Sequence, residues 1–208
     1  MSNLTQNLME SQANFPWATA DLTRLREQLL DLFCGVAYRE GDFLLSSGQR
    51  STYYINGKQI TLHPQGGLAV GRILLPLIAP ETVAVAGLTL GADPIVTATS
   101  VVAAYEGRSL AALIVRKEAK GHGTQAYIEG PTLPENSPVV VLEDVVTTGQ
   151  SAMKAVDRLR EAGYLVNEVV SVVDRLQGGA KFYQQQGLKF RSVFTVQDMQ
   201  TRWRELHG

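Results

Sequence analysis

The segment VVVLEDVVTTGQSAMKAV, residues 139–156, places Glu143 and Asp144 side by side at the end of an apolar run. Neighbouring carboxylates repel, and each needs a partner once it leaves bulk water. Thr147, Thr148 and Gly149 follow as a hydroxyl-rich turn, and the pattern is helical from Ser151. The start of a helix presents free N–H groups and the positive end of its dipole, which favours a phosphate. Threonine hydroxyls add donors, and glycine admits a close backbone approach. The acids do not serve a phosphate. They suit a ligand that also carries vicinal hydroxyls, because charged acceptors make the stronger hydrogen bonds. A phosphorylated ribose meets both demands. The plainer reading is an ordinary N-cap at Thr148 or Ser151, with Glu143 paired to a lysine. It accounts for a bare TTG, but not for the whole strand-Glu-Asp-x-x-Thr-Thr-Gly-x-Ser-helix order.

A second cluster is cationic. RKEAKGHG, residues 116–123, holds Arg116, Lys117, Lys120 and His122, interleaved with Gly121 and Gly123. Glu118 would suit a merely solvated loop. The chain's formal net charge is only -1, however, so the cluster stands out locally. Glycines provide hinges, and a cationic loop that closes over an anion excludes water. A departing pyrophosphate needs such cations, since charge develops on it as its bond to carbon breaks. Arginine offers a fork to phosphate oxygens and lysine a point charge.

These clusters need a scaffold. With 208 residues, 45% of them hydrophobic, the chain suffices for one domain with one substantial core. The charge balance supplies no basic field for nucleic acid. Apolar runs are short and broken by Pro76 and Pro80, so no membrane span is expected. Cys34 is the single cysteine and sits among Leu32, Phe33 and Val36. It reads as a small buried hydrophobe in a reducing compartment. Residues 1–20 carry no signal-peptide pattern and read as an N-terminal extension, a tail or a segment docked on a partner subunit. Residues 21–208 read as a single cytoplasmic domain.

Leu22, Leu25, Leu29 and Leu32 predict a helix over residues 21–33 with all four on its buried face. Residues 43–45 and 52–55 predict strands around a turn. A helix is expected over 67–78, with Leu68, Ile73, Leu74 and Leu77 inward, and Pro80 stops it. Strands are expected at 82–86, 110–115, 139–142 and 167–173, and an edge strand at 190–196. Helices are expected at 92–105, 151–162, 178–186 and 198–206. Alternating strands and helices, with near-continuous apolar strands, predict a mostly parallel central sheet flanked by helices. Ligands of such sheets bind beyond the carboxyl ends of strands. GLTLGAD (87–93), RKEAKGHG and EDVVTTG all fall there.

EDVVTTGQS resembles the phosphoribosyl-diphosphate (PRPP) signature of the type I phosphoribosyltransferases. The resemblance implies that α/β fold, with a small N-terminal hood segment and a flexible catalytic loop. It assigns Glu143 and Asp144 to the ribose hydroxyls. The phosphate loop becomes Val145, Val146, Thr147, Thr148, Gly149, Gln150 and Ser151. RKEAKGHGT is similar to the catalytic loop of the orotate phosphoribosyltransferase branch, which makes Arg116, Lys117, Lys120 and His122 the diphosphate contacts. Lys120, His122 and Asp144 are its implied catalytic residues. His122 is either a proton donor to the leaving group or a hydrogen-bonding partner of the diphosphate. FLLSSGQRSTYYIN (43–56) resembles the segment of that branch that approaches the orotate ring. Val173-Asp174-Arg175 resembles its orotate-carboxylate site, with Arg175 as partner and Thr147 touching orotate as well. The resemblance runs over residues 21–200. It implies Mg2+ carried by PRPP near Glu143 and Asp144, with no site made by protein alone. It also implies a homodimer with shared active sites.

There are departures. Some relatives have lysine where Ser46 stands, and others carry one in the loop matching residues 87–93. Asn56-Gly57-Lys58 replaces a more familiar acid and arginine, and Lys58 is the candidate substitute contact. Tyr53 and Tyr54 fit sheet packing and a base platform equally well. His63, His207, Trp17 and Trp203 read as incidental or packing residues. Two rival readings are a purine- or uracil-directed transferase and a PRPP-binding regulator without catalysis. A chain of this length has no room for a second, decarboxylating barrel.

Overall fold

The computed structural model describes residues 17–44, 48, 50–119 and 127–208. Helix α1 (Leu22–Leu32) starts where the Asp21 carboxylate accepts a hydrogen bond from the Arg24 N–H at 2.9 Å. Leu25, Leu29 and Leu32 bury its inner stripe, but Leu22, in the exposed first turn, stays 42% accessible. A π-helical turn (Phe33–Ala37) leads into a hairpin of β1 (Tyr38–Leu44) and β2 (Arg50–Ile55), which forms its own antiparallel sheet. Next come α2 (Lys58–Thr61), α3 (Pro64–Leu74), a 3-10 turn (Leu75–Leu77), β3 (Ala84–Leu88) and α4 (Asp93–Tyr105). The second half contains β4 (Ala111–Val115), β5 (Ile128–Glu129), β6 (Pro138–Val146), α5 (Gln150–Glu161), β7 (Leu165–Asp174), α6 (Gly179–Gln185), β8 (Lys189–Thr195) and α7 (Val196–His207).

The six-stranded sheet has the order β5-β4-β3-β6-β7-β8. Only β5 runs antiparallel to its neighbour; the remaining pairs are parallel. Alternation along β6 sends Val140 and Leu142 to the face packed with Leu25, Ile95 and Met199, and Val139 and Val141 to the face packed with Val156, Leu159 and Tyr183. Burial on both faces explains the unbroken valine runs. From β3 the chain steps to β4 on one side and later to β6 on the other. A crevice therefore opens beyond the carboxyl ends of β3 and β6, the usual ligand position in such sheets.

Several boundaries differ from the sequence reading. Strand β3 covers Ala84–Leu88 and not 82–86, and β6 continues to Val146, so the acids lie within the strand and not after it. Strand β1 begins at Tyr38. Its Arg39, Glu40, Gly41 and Asp42 are exposed and carry no apolar signal, which hid the strand. Helix α3 starts at Pro64, where the His63 ring accepts from the Gly66 N–H at 3.4 Å, so His63 caps a helix. Ile73 and Leu74 are buried, while Leu68 and Leu77 are only partly covered. Trp17 and Cys34 are buried as expected.

Candidate functional site

Strand β6 delivers the two acids to opposite faces of the sheet. Glu143 follows Val139 and Val141 onto the face covered by α5 and α6, where it is only 8% accessible. Its register partner on β7 is Ser171, which is fully buried. Glu143 Oε2, Ser171 Oγ and the Tyr183 hydroxyl are all buried without a hydrogen-bond partner among the described residues. Burial raises the Glu143 pKa well above the usual carboxylate range, and the Asp144 charge adds to this, while the Lys117 charge opposes it. Burial also pushes the Tyr183 phenol up, with the Glu143 and Asp174 charges contributing. Unpaired buried polar groups are costly, and their concentration here indicates a place made for a polar ligand.

Asp144 faces the crevice. A Cβ on Gly91 would lie 2.6 Å from Asp144 Oδ1, and one on Gly57 would lie 3.0 Å from Oδ2. The backbone of the β3–α4 loop and that of the turn before α2 thus both close on this carboxylate. Neither position accepts a side chain without moving the acid. Lys58, the first residue of α2, is exposed next to Gly57.

Beyond Val146 the chain turns through Thr147, Thr148 and Gly149 into α5. Gly149 has φ 89° and caps the helix with no side-chain hydrogen bond. A Cβ there would strike Phe182 and Tyr183 at 2.9–3.0 Å as well as occupy a left-handed conformation. The first N–H groups of α5 are left to a ligand or water, as at every helix start without a side-chain cap. A cavity of about 70 Å³ is lined by Glu143, Thr147, Gly149, Ser151 and Tyr183. Val145, Val146, Thr148, Gln150 and Ala152 complete the same lining. The whole sequence-predicted phosphate segment is thus brought together with Glu143.

Arg175 follows β7. Its N–H donates to the Val146 carbonyl at 2.9 Å, tying the ends of β6 and β7. Leu176 takes a left-handed φ of 56°, and its N–H donates to the Asp174 carboxylate at 2.8 Å. This turn aims Arg175 at the hairpin, where its Nε donates to the Tyr53 hydroxyl at 3.2 Å and its guanidinium stacks 4.8 Å from the Tyr53 ring. Gln177 Nε2 donates to the same hydroxyl at 3.2 Å.

The cationic segment leaves β4. Arg116 pairs with Glu129 at 3.1 Å, and its N–H donates to the Tyr127 carbonyl at 2.7 Å. Arg158 of α5 donates to the carbonyls of Arg116 and Lys117 and stacks 4.0 Å from the Tyr127 ring. Both stems of the segment are thereby anchored to α5 and to each other. Lys120 and His122 lie outside the described residues, as does Ser46. Tyr183, Gln177 and Arg158 escaped the sequence reading. Nothing local marks them, because the residues they meet lie far away in sequence.

Among the described residues no three metal-binding side chains cluster. Two carboxylates, one with an unpartnered oxygen, fit a hard divalent cation that takes most of its oxygen ligands from substrate and water. No helix of the described residues is long and apolar enough to cross a membrane. Larger openings occur elsewhere, including one of about 560 Å³ lined by Arg72, Arg108 and Arg191. There Arg108 donates to the carbonyls of Ile78, Ala79 and Thr82, closing a helix end with no strand carboxyl terminus or acid pair nearby.

A family model described as uracil phosphoribosyltransferase matches residues 94–196. An orotate phosphoribosyltransferase from Nostoc sp. is 70% identical over 207 residues, spanning 99% of both chains. The crystal structure of Mycobacterium tuberculosis orotate phosphoribosyltransferase with Fe(III) dicitrate superposes with a TM-score of 0.76 at 39% identity, covering 84% of this chain and 98% of that one. The same enzyme in complex with PRPP gives a TM-score of 0.71 at 34% identity, with 85% and 99% covered.

Proposed function

This chain belongs to the orotate phosphoribosyltransferase family, and we propose that it works by holding one sugar-phosphate at both ends. The reaction is transfer of the 5-phosphoribosyl group from PRPP to orotate, giving orotidine 5'-monophosphate and pyrophosphate in pyrimidine biosynthesis. One observation carries the site assignment. The acid pair at the end of β6 stands next to a helix start that has no side-chain cap and is reached through a left-handed glycine.

In this reading Glu143 and Asp144 accept hydrogen bonds from the ribose hydroxyls. The 5-phosphate lies against the N–H groups and hydroxyls of Thr147 to Ser151. Arg175 faces the orotate carboxylate, and Thr147 borders the ring. Orotate N1 displaces pyrophosphate at the anomeric carbon with inversion. That requires alignment of two anions, stabilisation of charge on the leaving group and exclusion of water. Arg116, Lys117 and Lys120 supply the cations, and His122 either donates a proton or only hydrogen-bonds the diphosphate. Lys58 adds a contact beside Asp144. Mg2+ bound with PRPP, with Glu143 and Asp144 alongside, would neutralise phosphate charge.

The working form is a homodimer in the cytoplasm. The segment carrying Lys120 covers the site of the other subunit, with residues 1–20 an extension of a single domain. Mixing Lys120→Ala and Asp144→Asn subunits, each inactive alone, should restore about one good site in each mixed dimer. Absence of any recovery counts against shared sites.

A uracil-directed transferase is the alternative that the family-model match brings forward. It is tested by supplying Mg2+ and PRPP with orotate, uracil, adenine or hypoxanthine in turn and following near-ultraviolet absorbance. Turnover should appear with orotate alone. Turnover with another base, or PRPP binding without turnover, overturns the assignment.

A further inference from the structure

Tyr53 belongs to the hairpin, 122 residues from Arg175 in sequence, yet its hydroxyl is the point at which hairpin and sheet meet. Its oxygen accepts two hydrogen bonds, from Arg175 Nε and Gln177 Nε2. A phenol oxygen that accepts two donors still carries its own proton. No acceptor for that proton occurs among the described residues. Beside it, Arg175 Nη2 is buried and also without a partner. The Nε–H and Nη2–H of a guanidinium form one side of a planar fork, so engaging Nε on Tyr53 points Nη2 along the same direction. Two donors with nothing to donate to therefore lie side by side, one of them formally cationic.

We propose that Tyr53 is a specificity-determining residue whose O–H, together with Nη2 of Arg175, receives the carboxylate of the pyrimidine acceptor. The proposal rests on the reading that Arg175 faces that carboxylate. A carboxylate offers acceptor oxygens and negative charge, and satisfies both orphan donors at once. A pyrimidine lacking it leaves both unpaired, and sites built around buried polar groups reject such analogues strongly. Gln177 donates to the same oxygen at 3.2 Å, which leaves the phenol's own proton to a third partner. The stack of Tyr38 on Tyr53, with ring centroids 6.0 Å apart, locks the ring itself.

The test is Tyr53→Phe, which keeps the ring, the stack and the cation–π contact and removes one hydroxyl. The KM for orotate should rise about tenfold or more, while the affinity for PRPP stays unchanged. An equal loss of PRPP affinity, or no loss with orotate, overturns the proposal. Arg175→Ala separates the two levels. If it leaves the orotate KM unmoved, the assignment of Arg175 falls; if it raises that KM while Tyr53→Phe does not, only the role of Tyr53 falls. Should Tyr53→Phe fail to fold, a crystal of the wild-type protein soaked with orotate decides. A carboxylate oxygen within hydrogen-bonding distance of Tyr53 Oη is expected, and a carboxylate turned away from it refutes the idea.

Discussion

On the proposed assignment, the phosphate end and the base end of this site are built in opposite ways. The phosphate end is local: Glu143 through Ser151 lie on one strand, one turn and one helix start, and much of what they offer is backbone. The base end is assembled from a distance. Tyr53 comes from a separate two-stranded sheet, and Arg175 and Gln177 come from the turn after β7. A local site made of backbone is as rigid as the elements that carry it. A distant one depends on the docking of two units, and its geometry is set by side-chain hydrogen bonds that a single substitution can remove.

Substitutions at the two ends should therefore separate cleanly in kinetics. Gly149→Ala forces a left-handed backbone at a cost of about 1–2 kcal/mol and drives a methyl group into Phe182 and Tyr183. The KM for PRPP should rise at least about tenfold, with orotate binding intact. Arg175→Ala should do the reverse, raising the orotate KM by about tenfold to hundredfold and sparing PRPP. Mixed effects from either variant would mean that the ends are not independent.

Glu143 sharpens the comparison from the stability side. It is buried with one oxygen unpartnered, so the folded protein carries a desolvated acid that a ligand would relieve. Glu143→Gln should bind PRPP about tenfold more weakly by calorimetry, yet melt at the same temperature or higher. A lower melting temperature would show that the carboxylate serves the fold.

Cys34, a buried free thiol assigned to neither end, provides a small-effect control. Burial, with the Asp31 charge adding to it, pushes its thiol up to about 12 from 9.0. The folded state therefore holds this proton longer than the unfolded chain does. Its contribution to stability is complete below pH 9 and is lost as pH rises towards 12. Iodoacetamide should leave the folded protein unlabelled at pH 8 and label it only after denaturation; fast native labelling would show that the core opens locally.

The same contrast explains what could be read from sequence. Glu143, Asp144 and the TTG turn announced themselves because strand, turn and helix start are contiguous, and apolar runs of valine revealed the sheet. The hairpin strand β1 was invisible beyond its last residues, since four successive exposed residues carry no period. Tyr53 remained open between packing and binding, because its partners lie more than a hundred residues away. That the acids diverge to opposite faces of β6 follows from strand alternation, but only once the strand was seen to continue to Val146. Tyr183, Gln177 and Arg158 meet Glu143, Tyr53 and the Arg116–Lys117 backbone, which lie dozens of residues away, so no local spacing encodes them.

The most direct test is a crystal of the protein grown with PRPP and Mg2+. The ribose hydroxyls should lie within hydrogen-bonding distance of Glu143 and Asp144, with the 5-phosphate against the N–H groups that open α5. A ribose turned away from Asp144, or a phosphate bound instead at the Arg72–Arg108–Arg191 opening, would contradict the account.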